Sequence, residues 1–507
     1  MGDALIGALI EVLRWDALSF MLIGIVTGFW VGLMPGLGGV TTLALMLPFV
    51  YRMQPVQAFA FLLGMHSVVA TTGDITSILF GIPGEGTTAA TILDGYAMAK
   101  KGEAGRALGA ALASSLVGAL VGAGALVLAI PIVRPLVLTF GSPELFMLTI
   151  LGIASIASLS GRRSRSMLRG FLAGAMGLFL AAVGQDPQAG NFRYTFGFLY
   201  LWDGLDLVPV LVGFFAIPEI IDLAVRGTAI AGGAPTGRLV GVATGIRDTF
   251  KHFWLTIRCS LIGTYIGVVP GLGGSVAQWM AYAHAVQSAR TPAERDGFGK
   301  GDVRGVLGPG AANNSKEGGD LIPTVAFGVP GSASMAILLG AFLLVGLTPG
   351  PDMLTKHLNV TLTMVWTIVL ANIITVAACL VFLNHLAKLT TIRGSLLIPF
   401  LVLLISVGAY TANNNLNDIL VMLAFGGLGY LMVRFQWPRA PLVLGLVLGE
   451  IAERNLWISV ARYGAEWLGR PIVVVLLLLT IAVIASALLQ QRRTRLGPDA
   501  AGAVGAT

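Results

Sequence analysis

Gly28-Phe29-Trp30-Val31-Gly32-Leu33-Met34-Pro35-Gly36-Leu37-Gly38-Gly39 returns later in the chain as Gly263-Thr264-Tyr265-Ile266-Gly267-Val268-Val269-Pro270-Gly271-Leu272-Gly273-Gly274, with glycines and proline in register. A second pair follows in the same order. Gly73-Asp74 precedes Phe80-Gly81-Ile82-Pro83-Gly84, and Gly319-Asp320 precedes Phe327-Gly328-Val329-Pro330-Gly331. A third pair closes each copy, Pro209, Gly213 and Glu219 against Pro441, Gly445 and Glu450. Ordered matches of this kind predict an internal duplication over residues 17–224 and 252–470. Each Pro-Gly-Leu-Gly-Gly pentad follows an apolar run, which puts it at membrane depth. Proline there removes an amide donor, and glycine admits positive φ, so the helix breaks. Broken backbone survives inside a bilayer only where protein or water satisfies it. Matched breaks in two halves point to the central site of a transporter.

Composition agrees with a polytopic membrane protein. The 507 residues are 56% hydrophobic and 11% charged, with mean hydropathy +0.84; a soluble domain carries about 25% charged residues. The formal charge of +7 resides mostly in loops and the tail, so it reports topology and no nucleic-acid partner is expected. Cys259 and Cys379 lie in apolar runs and read as packing residues. The N-terminus has no basic n-region, so no signal peptide is expected.

The expected fold is all-α, with about 11–12 spans plus re-entrant hairpins or broken helices. Its parts are an N-terminal segment 1–16, a first repeat 17–224, a connection 225–251, a second repeat 252–470, a last spanning helix 471–490 and a tail 491–507. The positive-inside rule places Arg162, Arg163, Arg165 and Arg169 in the cytoplasm, with Arg226, Arg238, Arg247, Lys251, Arg434, Arg439 and the tail arginines. Gln185–Asp206 and Asn413–Asp418 should face outward. The basic Lys100-Lys101 loop after the first Pro-Gly break corresponds to Thr348–Asp352, which has no basic residue. Equivalent loops on opposite sides predict inverted repeats and alternating access about a midplane site.

Enzyme chemistry is not expected. The five histidines are scattered, no Gly-x-x-x-x-Gly-Lys-Ser/Thr loop occurs, and no metal-ligand spacing is present. What remains is polarity beside the breaks. The candidate substrate groups are Pro35, Gly36, Gly38, Gly39, Thr76, Ser77, Pro83, Gly84, Pro270, Gly271, Gly273, Gly274, Asn313, Asn314, Pro330, Gly331 and Ser332. Free amides at half-helix ends favour an anion, while carbonyls and carboxylates suit Na⁺ or H⁺. Asp74 and Asp320 are the candidate cation or gating groups, because an ionisable residue at membrane depth is costly. Asp74 alternatively caps a half-helix, and Lys316-Glu317 alternatively pair at a loop edge. Gly24-x-x-x-Gly28-x-x-x-Gly32 and Gly118-x-x-x-Gly122 read as packing ridges. His66 reads as a satisfied core residue.

Both pentads, Ala90–Gly109, Ala312-Asn313-Asn314, Gly328–Ser332, Gly346–Pro351 and Pro441–Gly445 together make the chain resemble the large membrane subunit of the tripartite tricarboxylate transporters over about residues 17–470. That resemblance implies a secondary transporter of the bacterial inner membrane with an elevator-type architecture. A periplasmic binding protein would deliver a carboxylate such as citrate. A small four-helix membrane subunit would complete the complex, Na⁺ or H⁺ would drive it, and a homodimer stays open. Thr72-Gly73-Asp74-Ile75 departs from the family's Gly-Gly-Ser-Ile, with a carboxylate in place of a hydroxyl. A passive anion channel and an intramembrane enzyme or structural subunit are the rival readings.

Overall fold

The computed structural model describes residues 1–32, 38–85, 87–159, 164–186, 188–226, 239–270, 272–389 and 398–495. The N-terminal segment forms α1 (Gly2–Leu13), and the first copy opens with α2 (Trp15–Gly32). α3 (Gly39–Met46) resumes beyond it and tightens into a 3₁₀ turn at Leu47–Val50. Then come α4 (Pro55–Phe80), α5 (Ala89–Lys100), α6 (Ala104–Val137), α7 (Ser142–Leu159), α8 (Ser164–Ala181) and α9 (Leu207–Arg226). A two-residue antiparallel ribbon, Gly184–Gln185 with Phe192–Arg193, lies between α8 and α9. α10 (Val242–Lys251) lies in the connection, and the second copy has α11 (Phe253–Val268), α12 (Gly273–Gln287), a one-turn α13 (Pro292–Arg295), α14 (Arg304–Phe327) and α15 (Ala333–Leu344). It closes with α16 (Leu358–Leu389), α17 (Ile398–Asn413), α18 (Leu416–Arg434) and α19 (Ala440–Tyr463), and α20 (Pro471–Arg495) follows it. Residues 227–238 of the connection and the tail from 496 lie outside the described residues. The N-terminal segment, left unassigned by sequence reading, is the helix α1; the Trp366 indole of α16 donates to its Leu5 carbonyl at 2.9 Å.

Among the described residues, six helices are long and apolar enough to cross a membrane: α2, α4, α6, α9, α16 and α18. Several shorter apolar helices accompany them. α14 is long enough, but its polar and charged residues dilute its apolarity. Breaks appear at all four proline-glycine sites. Residues 33–37 lie outside the described residues, and α3 starts at Gly39 after an extended Gly38; α11 stops at Val268 and α12 starts at Gly273. α4 ends on Gly81 at φ 67° and α14 on Gly328 at φ 66°. Both glycines take the left-handed cap that a side chain resists, and the proline two residues on prevents resumption.

Small residues set the helix approaches. Gly28 of α2 faces the backbone of Met65 on α4, and Gly263 of α11 faces that of Ala312 on α14. Matched glycines thus seat matched helices on the two aspartate-bearing helices. On α6, Gly118 and Gly122 face the α14 backbone at Ala311 and Ser315. Arg169 donates to the Phe435 carbonyl at 2.8 Å, joining two of the basic segments. Tyr200 donates to Asp418 at 2.5 Å and Asn413 to Asp206 at 2.8 Å, joining the two basic-poor segments.

A Cβ at Gly122 would lie 2.9 Å from the Ser315 Cα, so Gly122→Leu should cost about 1–3 kcal/mol by overpacking. Gly124→Leu, whose Cβ meets nothing within 4 Å, is the control. Equal apparent melting temperatures for the two variants in detergent would refute close α6–α14 packing as the cause.

Candidate functional site

α4 and α14 cross at the centre of the molecule. Asn313 donates to the Ala70 carbonyl at 2.7 Å and Asn314 to the Thr71 hydroxyl at 2.8 Å. One turn away, the Ser67 hydroxyl donates to Glu317 at 2.9 Å. Residue numbers fall on α4 as they rise on α14 between the Thr71–Asn314 and Ser67–Glu317 contacts, so the two helices run in opposite senses. Asn314 also bonds Asn372 of α16.

Helix continuity corrects one expectation. α4 runs unbroken through Gly73 and Asp74, and α14 through Asn313 to Asp320. Asp74 therefore caps no half-helix. It lies six residues inside α4, buried, with neither carboxylate oxygen hydrogen-bonded among the described residues. Lys316 and Glu317 are likewise at no loop edge. Both are buried mid-helix, and Lys316 pairs with Asp320 one turn on, 3.8 Å from Nζ to Oδ2, rather than with Glu317. The i, i+4 spacing on α14 supplies the geometry.

The N-termini of the resumed helices converge on this cluster. The Gly39 amide, the first of α3, donates to Glu85 Oε2 at 2.9 Å. Thr87 donates to the other oxygen, Oε1, at 2.6 Å. A Cβ on Gly39 would stand 2.7 Å from the His66 ring, and one on Gly274 would stand 2.5 Å from Lys316 Cε and 2.7 Å from Thr87 Cγ2. Both pentads thus end against the same charged group. His66 Nε2 is 3.9 Å from Glu317 Oε1, and neither ring nitrogen has a hydrogen-bond partner among the described residues; His66 is not a satisfied core histidine. Asp74, Glu85, Glu317 and Asp320 therefore share the interior with a single lysine and a histidine. Buried carboxylates without a partner are costly, and they are relieved by protonation or by a neighbouring positive charge.

The other candidates divide. Gly84 packs on Gly73 (2.5 Å from an added Cβ to its Cα), and Gly331 packs on Asp320 (2.8 Å to its Cα), so both second breaks fold back onto the aspartate-bearing helices. The Ser332 hydroxyl accepts from the Met335 amide at 3.5 Å and caps α15. Thr76 and Ser77 spend their hydroxyls on the Gly73 carbonyl at 3.0 and 2.9 Å, and Ser77 also donates to Thr88 at 2.8 Å. Those two stabilise the α4 end instead of offering a free donor. Pro83 is exposed and Pro330 buried; Pro270, Gly38 and Gly273 are partly buried. Pro35, Gly36 and Gly271 lie outside the described residues. Sequence reading marks Glu85, Lys316 and Glu317 as polar residues beside the breaks, but its candidate substrate and cation groups include neither them nor His66. The available signal was their charge in apolar context, together with the four-residue Lys316–Asp320 step.

The family model described as the tripartite tricarboxylate transporter TctA family matches residues 18–444. An uncharacterised 52.8 kDa protein in the TAR-I ttuC' 3' region of Agrobacterium vitis is 32% identical over 480 residues, which is 93% of this chain and 93% of that protein. An uncharacterised protein in the TAR-II ttuC' 3' region of the same organism is 34% identical over 236 residues, 46% of this chain and 96% of that protein.

Removing the single lysine should be the most damaging change in the cluster. Lys316→Met is expected to cost about 3–5 kcal/mol, because it strands buried carboxylates. Adding Asp320→Asn should recover much of that loss. Chemical denaturation of the purified protein measures both, and a double variant as unstable as the single one would exclude this pairing.

Proposed function

The chain belongs to the tripartite tricarboxylate transporter TctA family, as the large membrane subunit of such a system, and from that membership we propose that it moves a small carboxylate across the bacterial inner membrane by alternating access. Import is coupled to Na⁺ or H⁺. A periplasmic binding protein delivers the substrate, and a small membrane subunit of about four helices completes the assembly.

The observation that carries this reading is the convergence of both pentads on Glu85, His66, Lys316 and Glu317. Glu85 holds the first amide of α3 in the manner of a bound carboxylate, with Thr87 as second donor. A substrate carboxylate has the same chemistry and takes the same donors when Glu85 turns toward Lys316. The helix-end dipole favours an anion there, and Lys316 supplies the only full positive charge nearby. Asn313 and Asn314 hold α4 against α14 while this exchange occurs.

Inverted repeats are part of the proposal. Supporting them, the counterpart helices α4 and α14 meet in opposite senses, and the counterpart loops Lys100-Lys101 and Thr348–Asp352 differ in charge. α11 and α12 fold back on each other, with Cys259 Sγ 3.6 Å from the Ala281 carbonyl. Such a hairpin is the element an elevator carries across the bilayer, the remaining helices acting as scaffold.

Vesicles containing this chain, its small subunit and the binding protein test the reading. With labelled citrate and a panel of mono- and dicarboxylates, uptake should exceed equilibrium only under an imposed Na⁺ or proton gradient. Gly39→Ala, which pushes a methyl toward His66 and Glu85, should lower the rate about tenfold or more by misplacing the donors. Equilibration without accumulation, independent of the binding protein, would identify a passive channel instead.

A further inference from the structure

Among the described residues, α12 carries a buried polar side chain with nothing to bond. Gln278 is 0% exposed, and neither its Oε1 nor its Nε2 has a hydrogen-bond partner. A carboxamide left in that state costs stability, and an apolar side chain fills such a space at less cost. The duplication shows that alternative. Gly39 and Gly274 are counterparts, and four residues after them stand Leu43 and Gln278. Leu43 is buried in an apolar core. Position along α12 says what Gln278 faces. Gly274, Gln278 and Tyr282 follow at four-residue steps, so they share one face of the helix. Gly274 abuts Lys316 and Thr87 at the charged cluster. Tyr282 donates to Asp94 of α5 at 3.0 Å, which occupies its hydroxyl hydrogen. Asp94 also accepts from the Gly301 and Asp302 amides at 2.8 and 2.9 Å. Gln278 thus lies one turn, about 5.4 Å, beyond the point where the second pentad meets Lys316, on a helix packed against α14 and α5.

We propose that Gln278 is a specificity-determining substrate ligand, and that the acid this chain moves carries a hydroxyl beside a carboxylate. The inference rests on the transport reading above and names its substrate class. A carboxamide offers two donor hydrogens on Nε2 and an acceptor at Oε1. A carboxylate only accepts, so it satisfies Nε2 and leaves Oε1 bare. An ammonium only donates and does the reverse. A hydroxy acid serves both atoms: its hydroxyl donates to Oε1, while the hydroxyl oxygen or the adjacent carboxylate accepts from Nε2. With a carboxylate held at Lys316 and the Gly39 amide, the hydroxyl extends one turn along α12. Discrimination comes from what an acid without the hydroxyl leaves behind, a buried acceptor with no donor. Leu43 at the matching position offers no such group, so the selectivity resides in one half alone.

The test uses the full-length chain with its small subunit in nanodiscs, without the binding protein, so that the selectivity read is that of the membrane part. Calorimetric titration compares two pairs of acids that differ by one hydroxyl, citrate with tricarballylate and malate with succinate. In at least one pair wild type should bind the hydroxylated acid about tenfold tighter or more. Gln278→Leu, which copies Leu43, should bind both members alike and unfold no earlier than wild type, since it loses no hydrogen bond. Should Gln278→Leu fail to fold, Gln278→Met decides in its place. A wild type with no preference in either pair, or an apolar variant with the preference intact, overturns the assignment. Equal loss of affinity for both members marks a merely structural role and overturns it too. The transport reading survives those results if vesicles of the complete assembly still accumulate carboxylate on an ion gradient. Neither binding nor uptake of any of the four acids would overturn the transport reading, and the assignment falls with it.

Discussion

A buried carboxylate must meet positive charge or donors, and the interior of this protein contains more carboxylates than it can neutralise by itself. Asp74, Glu85, Glu317 and Asp320 are all shielded from solvent. The described elements supply Lys316, the Gly39 amide, the hydroxyls of Ser67 and Thr87, and the unpartnered ring of His66. In a low-dielectric interior such an imbalance is not tolerated for packing's sake, since apolar residues of similar size fill space at less cost.

The four helix breaks serve that imbalance. A continuous helix keeps its amides to itself. α3 and α12 each begin afresh in the interior, and their first residues lie against Glu85, Thr87, Lys316 and His66. The glycines there have a second duty, because a methyl at Gly39 or Gly274 would collide with the charged side chains. Glycine on α2, α6 and α11 does the complementary work, letting backbones approach closely enough to hold α4 and α14 in place. Close helix approach and open helix ends are two uses of one residue type.

The duplication gives the two halves the same parts with different electrostatics. Gly73-Asp74 and Gly319-Asp320 each lie inside a long buried helix that ends on a left-handed glycine. One aspartate has a lysine a turn away; the other has Ala70.

The amino-acid sequence by itself determined the membrane class, the family and the positions where helices stop, because each depends on local or compositional physics. Apolar runs set the spans, proline and glycine set the breaks, and the repeated pentads are visible by eye. Sequence also singled out Asp74, Asp320, Asn313 and Asn314. Only the tertiary structure decided that Asp74 lies within a helix rather than at its end, that Lys316 answers Asp320 rather than Glu317, and that His66 and Glu85 belong with them. It also placed the Thr76 and Ser77 hydroxyls on the Gly73 carbonyl of their own helix, with Ser77 reaching Thr88 as well. The physical reason is that helix ends follow from neighbours along the chain, whereas the partner of a buried charge is chosen among all groups within a few ångströms. Ser67 and Glu317, 250 residues apart, meet only after α4 and α14 have crossed.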